Sequence, residues 1–184
     1  AQAGTSGIGS LNAVGFENVV VSLGGTAGVT ATKAIGGITL SSGAGNQAVT
    51  IASNAAVTTL GTVTADSLNT AGLVGSVTAT LANGSAGASF TGSSTQQSFI
   101  TGSAGADIIA TGSGNDAIYM SATSANSLVT GGLGSDTYAS AETDVEGLVI
   151  TDAGGAADTL VLQGATSDLS GVNGGASITA MGIE

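Results

Sequence analysis

The chain has 184 residues, of which 32 are glycine and only 7% are charged, where an average soluble protein has about 25% charged residues. It contains no histidine and no cysteine, so it offers no imidazole base, no thiol nucleophile and no zinc or copper site built on nitrogen or sulfur, and oxygen remains as the metal ligand. The formal net charge of −11 has the wrong sign for nucleic acid phosphates or anionic lipids, and no apolar run approaches the roughly 18 residues of a membrane span.

The charged residues divide the chain into two parts. Residues 1–106 hold only Glu17, Lys33 and Asp66, whereas residues 107–184 hold the other ten carboxylates and no base. No proline and no charged linker separates the two parts. We therefore predict one continuous architecture, with a Thr-, Ala- and Gly-rich segment at 1–100 and an acidic segment at 101–184 that continues it.

Short apolar or β-branched clusters recur roughly every ten residues, with Gly, Ser, Ala and Asn between them. In chain order the clusters are Val19–Val21, Val29–Thr32, Ile38–Leu40, Val49–Ile51, Val57–Leu60, Val77–Leu81, Phe99–Ile100, Ile108–Ile109, Ile118, Leu128, Tyr138, Leu148–Ile150 and Leu160–Leu162. Short strands between small-residue turns, without a helical period, favour a coiling parallel solenoid over a hairpin sandwich, which stays the alternative. The predicted fold is all-β, a parallel β-helix or β-roll, with one unit for each half turn.

In the acidic part the repeat takes the form Gly-Gly-x-Gly-x-Asp-x-apolar-x. Its copies are Gly102–Ala110, Thr111–Tyr119 and Gly131–Ala139, and the last of these fills every position of the pattern. A degenerate unit lies between the second and third copies, with Asn126–Leu128 in the place of Asp-x-apolar. A shorter echo at Gly154–Leu160 lacks the third glycine.

The spacing of these units predicts a metal site. Glycine permits turns that aim several carbonyl oxygens at one point, and the aspartate adds a carboxylate. With two units per turn, units n and n+2 are neighbours at about 4.8 Å, which predicts Asp116 next to Asp136 and Asp107 next to Asn126. Carboxylates so close repel each other unless a cation lies between them. Calcium, which takes about six to eight hard oxygen ligands in flexible geometry, is the predicted cation.

These nonapeptides resemble the RTX repeats of proteins exported by type I secretion, whose β-rolls bind calcium between turns. The resemblance is specific for residues 102–139, and it implies that backbone carbonyls of the turns 111–116 and 131–136 join the aspartates as ligands. Where Ser103, Thr111 and Asn126 depart from the pattern, weaker or empty sites are expected. The candidate ligands are Asp107, Gly112, Gly114, Asn115, Asp116, Asn126, Gly132, Gly134, Asp136 and Asp158.

The remainder of the chain resembles the RTX-bearing S-layer proteins of Gram-negative bacteria, of the Caulobacter type, as do the segments Gly15–Val21 and Thr151–Leu162. This resemblance implies a secreted structural component of a surface layer at the extracellular cell surface. Its expected partners are calcium, further copies of itself in an oligomer or lattice, and cell-surface polysaccharide bound through parts outside this chain. Catalysis, nucleic acid binding and membrane insertion are not expected. The alternatives are an RTX adhesin or ice-binding segment, or the secretion-type roll of a larger exoenzyme.

Several side chains outside the glycine turns receive a simpler interpretation. Ile109, Ile118, Leu128 and Tyr138 are expected at inward or stacked positions. Some acidic residues follow no complete glycine turn, and we interpret them as solvated, although one or two could complete a calcium shell at the end of the roll: Glu142, Asp144, Glu146, Asp152 and Asp168.

Overall fold

The structure is a computed structural model that describes residues 5–41, 46–83, 86–120, 126–141, 147–152, 154–155, 157–163 and 179–181. These residues form fourteen β-strands and no α-helix. The strands are β1 Thr5–Val14, β2 Asn18–Ser41, β3 Ala48–Thr64, β4 Ser67–Asn69, β5 Ser76–Leu81, β6 Ser89–Thr91, β7 Ser98–Thr101, β8 Ile108–Gly112, β9 Ala117–Tyr119, β10 Leu128–Gly132, β11 Thr137–Ala141, β12 Val149–Thr151, β13 Thr159–Gln163 and β14 Thr179–Met181.

The strands stack in parallel as successive layers of one coil. The long strands β1, β2 and β3 lie one on another, and β4 and β5 then pair with the first and second parts of β3. Beyond β3 the even strands β4 to β14 stack on one face and the odd strands β5 to β13 on the other. From β3 to β13, hydrogen-bonded partners in successive layers are 18 to 22 residues apart in sequence. The predicted parallel β-solenoid with two units per turn is therefore confirmed.

Alternation of apolar and hydroxyl residues explains which side of each strand faces inward. In β5 the side chains of Val77, Ala79 and Leu81 are buried, whereas Thr78 and Thr80 are exposed. A strand places successive side chains on opposite faces, and β-branched residues fit such a half-buried surface. In β5 the narrow interior thus receives the apolar side chains, and the two threonines face outward.

The core consists of columns of apolar side chains that repeat in register from layer to layer. On the even face the column contains Val49, Leu68, Phe90, Ile109, Val129 and Ile150. On the odd face it contains Ala79, Ile100, Ile118, Tyr138 and Leu160. Each layer covers the apolar side chains of the next, so stability comes from stacking rather than from any single unit. Tyr138 is only 2% exposed, which confirms its predicted inward position.

Of the two positions expected for Leu128, inward or stacked, it takes the stacked one. It is stacked between Ile108 and Val149, but on the outer surface, where 42% of its area is exposed. Val129 takes the inward place and is 1% exposed. The degenerate unit is therefore shifted by one residue from the alignment that its Asn-x-apolar pattern predicts.

The strand ladder crosses residue 100 without interruption, because β7 pairs with both β5 and β9. The division into segments 1–100 and 101–184 concerns composition and stays a prediction. Among the residues that the structure describes, none belongs to a helix long and apolar enough to cross a membrane.

Candidate metal centre

Three aspartates stack where the turns enter β9, β11 and β13. Asp116, Asp136 and Asp158 each precede the first residue of their strand, and the strand register aligns them in successive layers. They are 2%, 0% and 2% exposed. We call this column the Asp116 corner. The predicted neighbour relation of Asp116 and Asp136 is confirmed.

One carboxylate oxygen of each aspartate holds the preceding layer. Asp116 Oδ1 accepts the backbone N–H of Ser98 at 2.6 Å. Asp136 Oδ1 accepts that of Asp116, and Asp158 Oδ1 that of Asp136, both at 2.8 Å. These bonds continue the backbone ladder across the turn, where it would otherwise be interrupted. The aspartates therefore have a structural role that requires no metal.

The other carboxylate oxygen distinguishes this corner. Oδ2 of Asp116, Asp136 and Asp158 is buried and has no hydrogen-bond partner. The single basic residue of the chain, Lys33, lies in β2, which pairs with β1 and β3 and not with these layers. A buried carboxylate oxygen without a hydrogen bond or a counter-charge is strongly unfavourable. The corner therefore accumulates negative charge that no basic side chain of this protein neutralises.

The pKa values of Asp116 and Asp136 show the same unfavourable burial of negative charge. Burial raises the pKa of Asp116, and the Ser98 N–H, together with the nearby hydroxyls of Thr111 and Ser98, opposes this in part. Burial also raises the pKa of Asp136 to about 6, to which the negative charges of Asp116, Asp152 and Asp158 contribute. Both shifts mean that the charged carboxylate is disfavoured in the folded protein unless something stabilises it.

A fourth carboxylate, Asp152, belongs to this corner. It is only 8% exposed, so its interpretation as a solvated residue is wrong. One oxygen from each of Asp136, Asp152 and Asp158 lies within 4.8 Å of the other two. The Tyr138 hydroxyl donates a hydrogen bond to Asp152 Oδ2 at 2.5 Å. Burial raises the pKa of Tyr138 further above its ordinary value, so the hydroxyl stays protonated and remains a donor.

Glycine allows the turns of this corner to nest in successive layers. Gly112 and Gly132 have φ of +123° and +113°, in the region that favours glycine. A Cβ at Gly132 would overlap the carbonyl oxygen of Gly112, and one at Gly134 would overlap that of Gly114. Gly112 O already accepts the N–H of Leu133 at 3.1 Å. As calcium ligands, the carbonyls of these turns stay predictions.

Asn115, another predicted ligand, lies at the outer side of its turn. It is exposed, and its Oδ1 accepts the backbone N–H of Ser135 at 2.9 Å. This side chain therefore links two layers at the surface, while its backbone remains part of the turn between Gly114 and Asp116.

On the even face, aspartates occupy the equivalent junctions but have complete hydrogen bonding. Asp107 Oδ1 accepts the Ala88 N–H at 2.8 Å and the Ser103 hydroxyl, and its Oδ2 accepts the Ser103 N–H at 2.7 Å. Asp66 accepts the Gln47 N–H at 2.6 Å and the Asn83 amide at 2.9 Å. We call this column the Asp107 corner. Unlike at the Asp116 corner, both oxygens of each of its carboxylates have a protein partner.

The predicted stacking of Asp107 on Asn126 is wrong. The register of β8 and β10 aligns Ile108 with Leu128 and therefore Asp107 with Ser127, whose hydroxyl accepts the Asp107 N–H at 3.0 Å. Asn126 precedes this position, is exposed and has φ of +62°. Burial of Val129 fixes this alignment, since a shift by one residue would turn Leu128 inward and Val129 outward.

The other acidic residues singled out from the sequence lie outside the described residues: Glu142, Asp144, Glu146 and Asp168. Asp152 is the functional candidate that the turn pattern missed. The signal that could have found it is positional, because Asp152 follows β12 in the register of Gly131, the first residue of the preceding turn.

The Asp116 corner offers oxygen ligands, high negative charge and little solvent. This combination suits a hard cation. Calcium fits better than magnesium, which demands a tight octahedron and keeps much of its water.

Comparisons with known proteins add no family to this description: no family model matches the chain, and neither a curated protein nor a solved structure matches it significantly.

Proposed function

We propose that this chain is a structural β-solenoid stabilised by calcium bound between stacked aspartates, and that it serves in an assembled layer at a bacterial cell surface. The observation that carries the proposal is the set of buried Oδ2 atoms on Asp116, Asp136 and Asp158, none of which has a partner. A divalent cation between successive layers supplies the missing counter-charge. The resemblance of residues 102–139 to calcium-binding RTX repeats points to the same ion.

An outer file of apolar side chains supports the assembly part of the proposal. Ile108 and Leu128 are 57% and 42% exposed and are stacked in register on the even face. On the odd face Phe99 and Tyr119, which lie in different columns of the register, are each 40% exposed. Exposed apolar side chains of this kind favour contact with another macromolecule, and a second copy of the chain would present the same side chains.

The proposed ion supports an extracellular location. Turn sites that combine carboxylates with carbonyls and serve outside cells bind calcium with dissociation constants of about 10⁻⁴ to 10⁻³ M. A protein built on such sites folds fully where calcium is abundant. Calcium-dependent stability therefore matches export to the cell surface, as the resemblance to S-layer proteins implies.

The ice-binding alternative requires an unbroken file of threonines along one face. On the even face the outward file containing Thr91 and Thr130 is interrupted by Asn69 and Ala110. On the odd face Phe99 and Ala117 separate Thr78 from Thr137. These interruptions favour the structural function over an ice-binding one.

Thermal unfolding with and without calcium tests the ionic part of the proposal. A site held at a hundred times its dissociation constant contributes about 2.7 kcal/mol to the free energy of unfolding, so calcium should raise the melting temperature clearly above that in chelator. Magnesium at equal ionic strength is the control and should have little effect. Equal melting temperatures in calcium, magnesium and chelator would refute calcium stabilisation.

Electron microscopy and sedimentation test the assembly part. Calcium at millimolar concentration should convert the chain into ordered sheets or higher oligomers, because it neutralises the acidic surfaces that otherwise repel each other. A chain that binds calcium but stays monomeric at high concentration would retain the stabilising role and contradict the layer function.

A further inference from the structure

Asp152 occupies a position where the neighbouring turns have no carboxylate. In the strand register it aligns with Gly131 of the preceding layer, just as Thr151 aligns with Thr130. Gly131 has no room for a side chain of its own, since a Cβ there would overlap both the Tyr138 hydroxyl and Asp136 Oδ2. The first position of the turn therefore lies directly beside the aspartate column, and in the turn that follows β12 it carries a carboxylate.

Two hydrogen bonds fix the orientation of Asp152. Its Oδ2 accepts the Tyr138 hydroxyl at 2.5 Å, and its Oδ1 accepts the Gly154 N–H at 2.9 Å. Both bonds come from buried or half-buried groups. The side chain is therefore held in place against the electrostatic repulsion of Asp136 and Asp158.

The geometry of the three carboxylates matches one cation. An oxygen of each lies within 4.8 Å of the others, and two ligands at about 2.4 Å from a calcium ion are separated by at most twice that distance. Asp136 and Asp158 are 0% and 2% exposed, and their Oδ2 atoms have no hydrogen-bond partner. An unpartnered oxygen in such burial indicates a missing ligand rather than a solvated acidic surface.

We propose that Asp136, Asp152 and Asp158 form a three-carboxylate cation site that binds its ion more tightly than the two-carboxylate site of Asp116 and Asp136. This inference rests on the proposed function in one respect, namely that the turn aspartates take up a hard cation. The added charge raises affinity for calcium and still more for trivalent lanthanides, because affinity at oxygen sites follows the charge of the ligand set. Tyr138 is a positioning residue that holds Asp152 through its hydroxyl.

Terbium luminescence tests this site, because Tb³⁺ binds calcium sites and is sensitised by a tyrosine close to it. The chain has two tyrosines: Tyr138 touches the site, and Tyr119 lies on the outer face with 40% exposed. The full chain with Tyr119→Phe should keep tyrosine-sensitised emission, and calcium should compete it away. This measurement leaves every residue of the site intact, so it does not depend on how a site variant folds.

Two variants then separate the proposed role of Asp152 as a ligand from that of Tyr138 as a positioning residue. Asp152→Asn should weaken the tightest terbium and calcium binding by at least about tenfold, since it removes one of three charges. Tyr138→Phe should abolish most of the emission and weaken calcium binding about 10- to 100-fold, as loss of a bond to a ligand does. Calorimetric calcium affinities, with circular dichroism in chelator as the folding check, accompany both.

The outcomes distinguish this inference from the proposed function. Either of two results would overturn the three-carboxylate site and leave the proposed function standing. One is wild-type calcium affinity in Asp152→Asn. The other is the absence of emission in Tyr119→Phe while calcium still raises the melting temperature. If the wild type binds neither calcium nor terbium, both fail together. Emission from Tyr119→Phe with weakened binding in Asp152→Asn supports the site.

Discussion

The two corners of the coil place aspartates at equivalent junctions but leave their carboxylates in different states. At the Asp107 corner Asp107 accepts three hydrogen bonds, two of them from Ser103. At the Asp116 corner each aspartate accepts one bond from the preceding layer through Oδ1, while Oδ2 stays buried and unpartnered. Both corners therefore have an aspartate at the end of the turn. They differ in its second carboxylate oxygen, which has a hydrogen-bond partner only at the Asp107 corner.

The second position of the turn explains the difference. Ser103 directs its N–H and its hydroxyl at Asp107, whereas the corresponding residues of the next full repeats, Gly112 and Gly132, have positive φ and no side chain. A serine thus satisfies the carboxylate from within its own turn. A glycine leaves the carboxylate open to a ligand from outside the chain. At Asp107, one residue of the repeat thus supplies the hydrogen bonds that the second oxygen lacks at the Asp116 corner.

Replacing Asp136 with asparagine should produce the largest change. Asn keeps an oxygen for the Asp116 N–H but removes the charge that both proposed sites share. In calcium we expect loss of about 2.7 kcal/mol for each site held at a hundred times its dissociation constant. In chelator we expect the variant to be as stable as the wild type or more so, because a buried repulsive charge disappears. Melting curves under both conditions measure the two effects.

Asp107→Asn is the matched control for that variant. The asparagine amide would face the Ser103 N–H, so we expect a cost of about 1–3 kcal/mol that is equal in calcium and chelator. A calcium-dependent cost at Asp107, or equal behaviour of the two variants, would remove the distinction between the corners.

A double-mutant cycle tests whether Asp116 and Asp136 share an ion. With calcium present, Asp116→Asn should lose about 2.7 kcal/mol at the same degree of saturation, and the double variant should melt scarcely lower than Asp136→Asn alone, because one ion cannot be lost twice. Additive losses, or losses that persist unchanged in chelator, would show that the two residues hold no common metal.

A pair of core substitutions tests the register that places Ser127 at the Asp107 corner. Val129→Ala should destabilise by about 2 kcal/mol, because it removes buried methyl groups and leaves a cavity. Leu128→Ala, on the outer face, should stay within about 0.5 kcal/mol. Chemical denaturation measures both. A larger loss of stability from Leu128→Ala than from Val129→Ala would contradict this register and favour the alignment of Asn126 with Asp107.

The smallest expected effect is a dependence on pH. The pKa of Asp136 in the folded protein is about 6, above its ordinary value of 3.8, so between these values the folded state binds more protons than the unfolded state. In chelator the free energy of unfolding should therefore rise by about 1 kcal/mol as the pH falls from 7 to 5, and lose that gain as the pH rises through 6. Calcium competes with the protons and should cancel or reverse the trend. The wild type and Asp136→Asn compared by melting temperature across this range would reveal it.

The sequence predicted the coil and much of the site because both are periodic. Apolar clusters at half-turn spacing predict the stacked columns, and the repeat places Asp116 beside Asp136. The pattern did not predict the shift at Ser127, since Asn126 matches the aspartate chemically and only burial of Val129 decides the register. It also missed Asp152, because this residue stands where the consensus has glycine. Its orientation depends on a hydrogen bond from Tyr138, 14 residues away in sequence.

Calcium titration calorimetry on the wild type, Asp136→Asn and Asp107→Asn tests the central claim most directly, namely that cations bind at the Asp116 corner and not at the Asp107 corner. We expect the wild type and Asp107→Asn to bind the same number of calcium ions with similar affinity, and Asp136→Asn to lose the tight binding. Equal losses in both variants, or no binding by the wild type at millimolar calcium, would contradict the account.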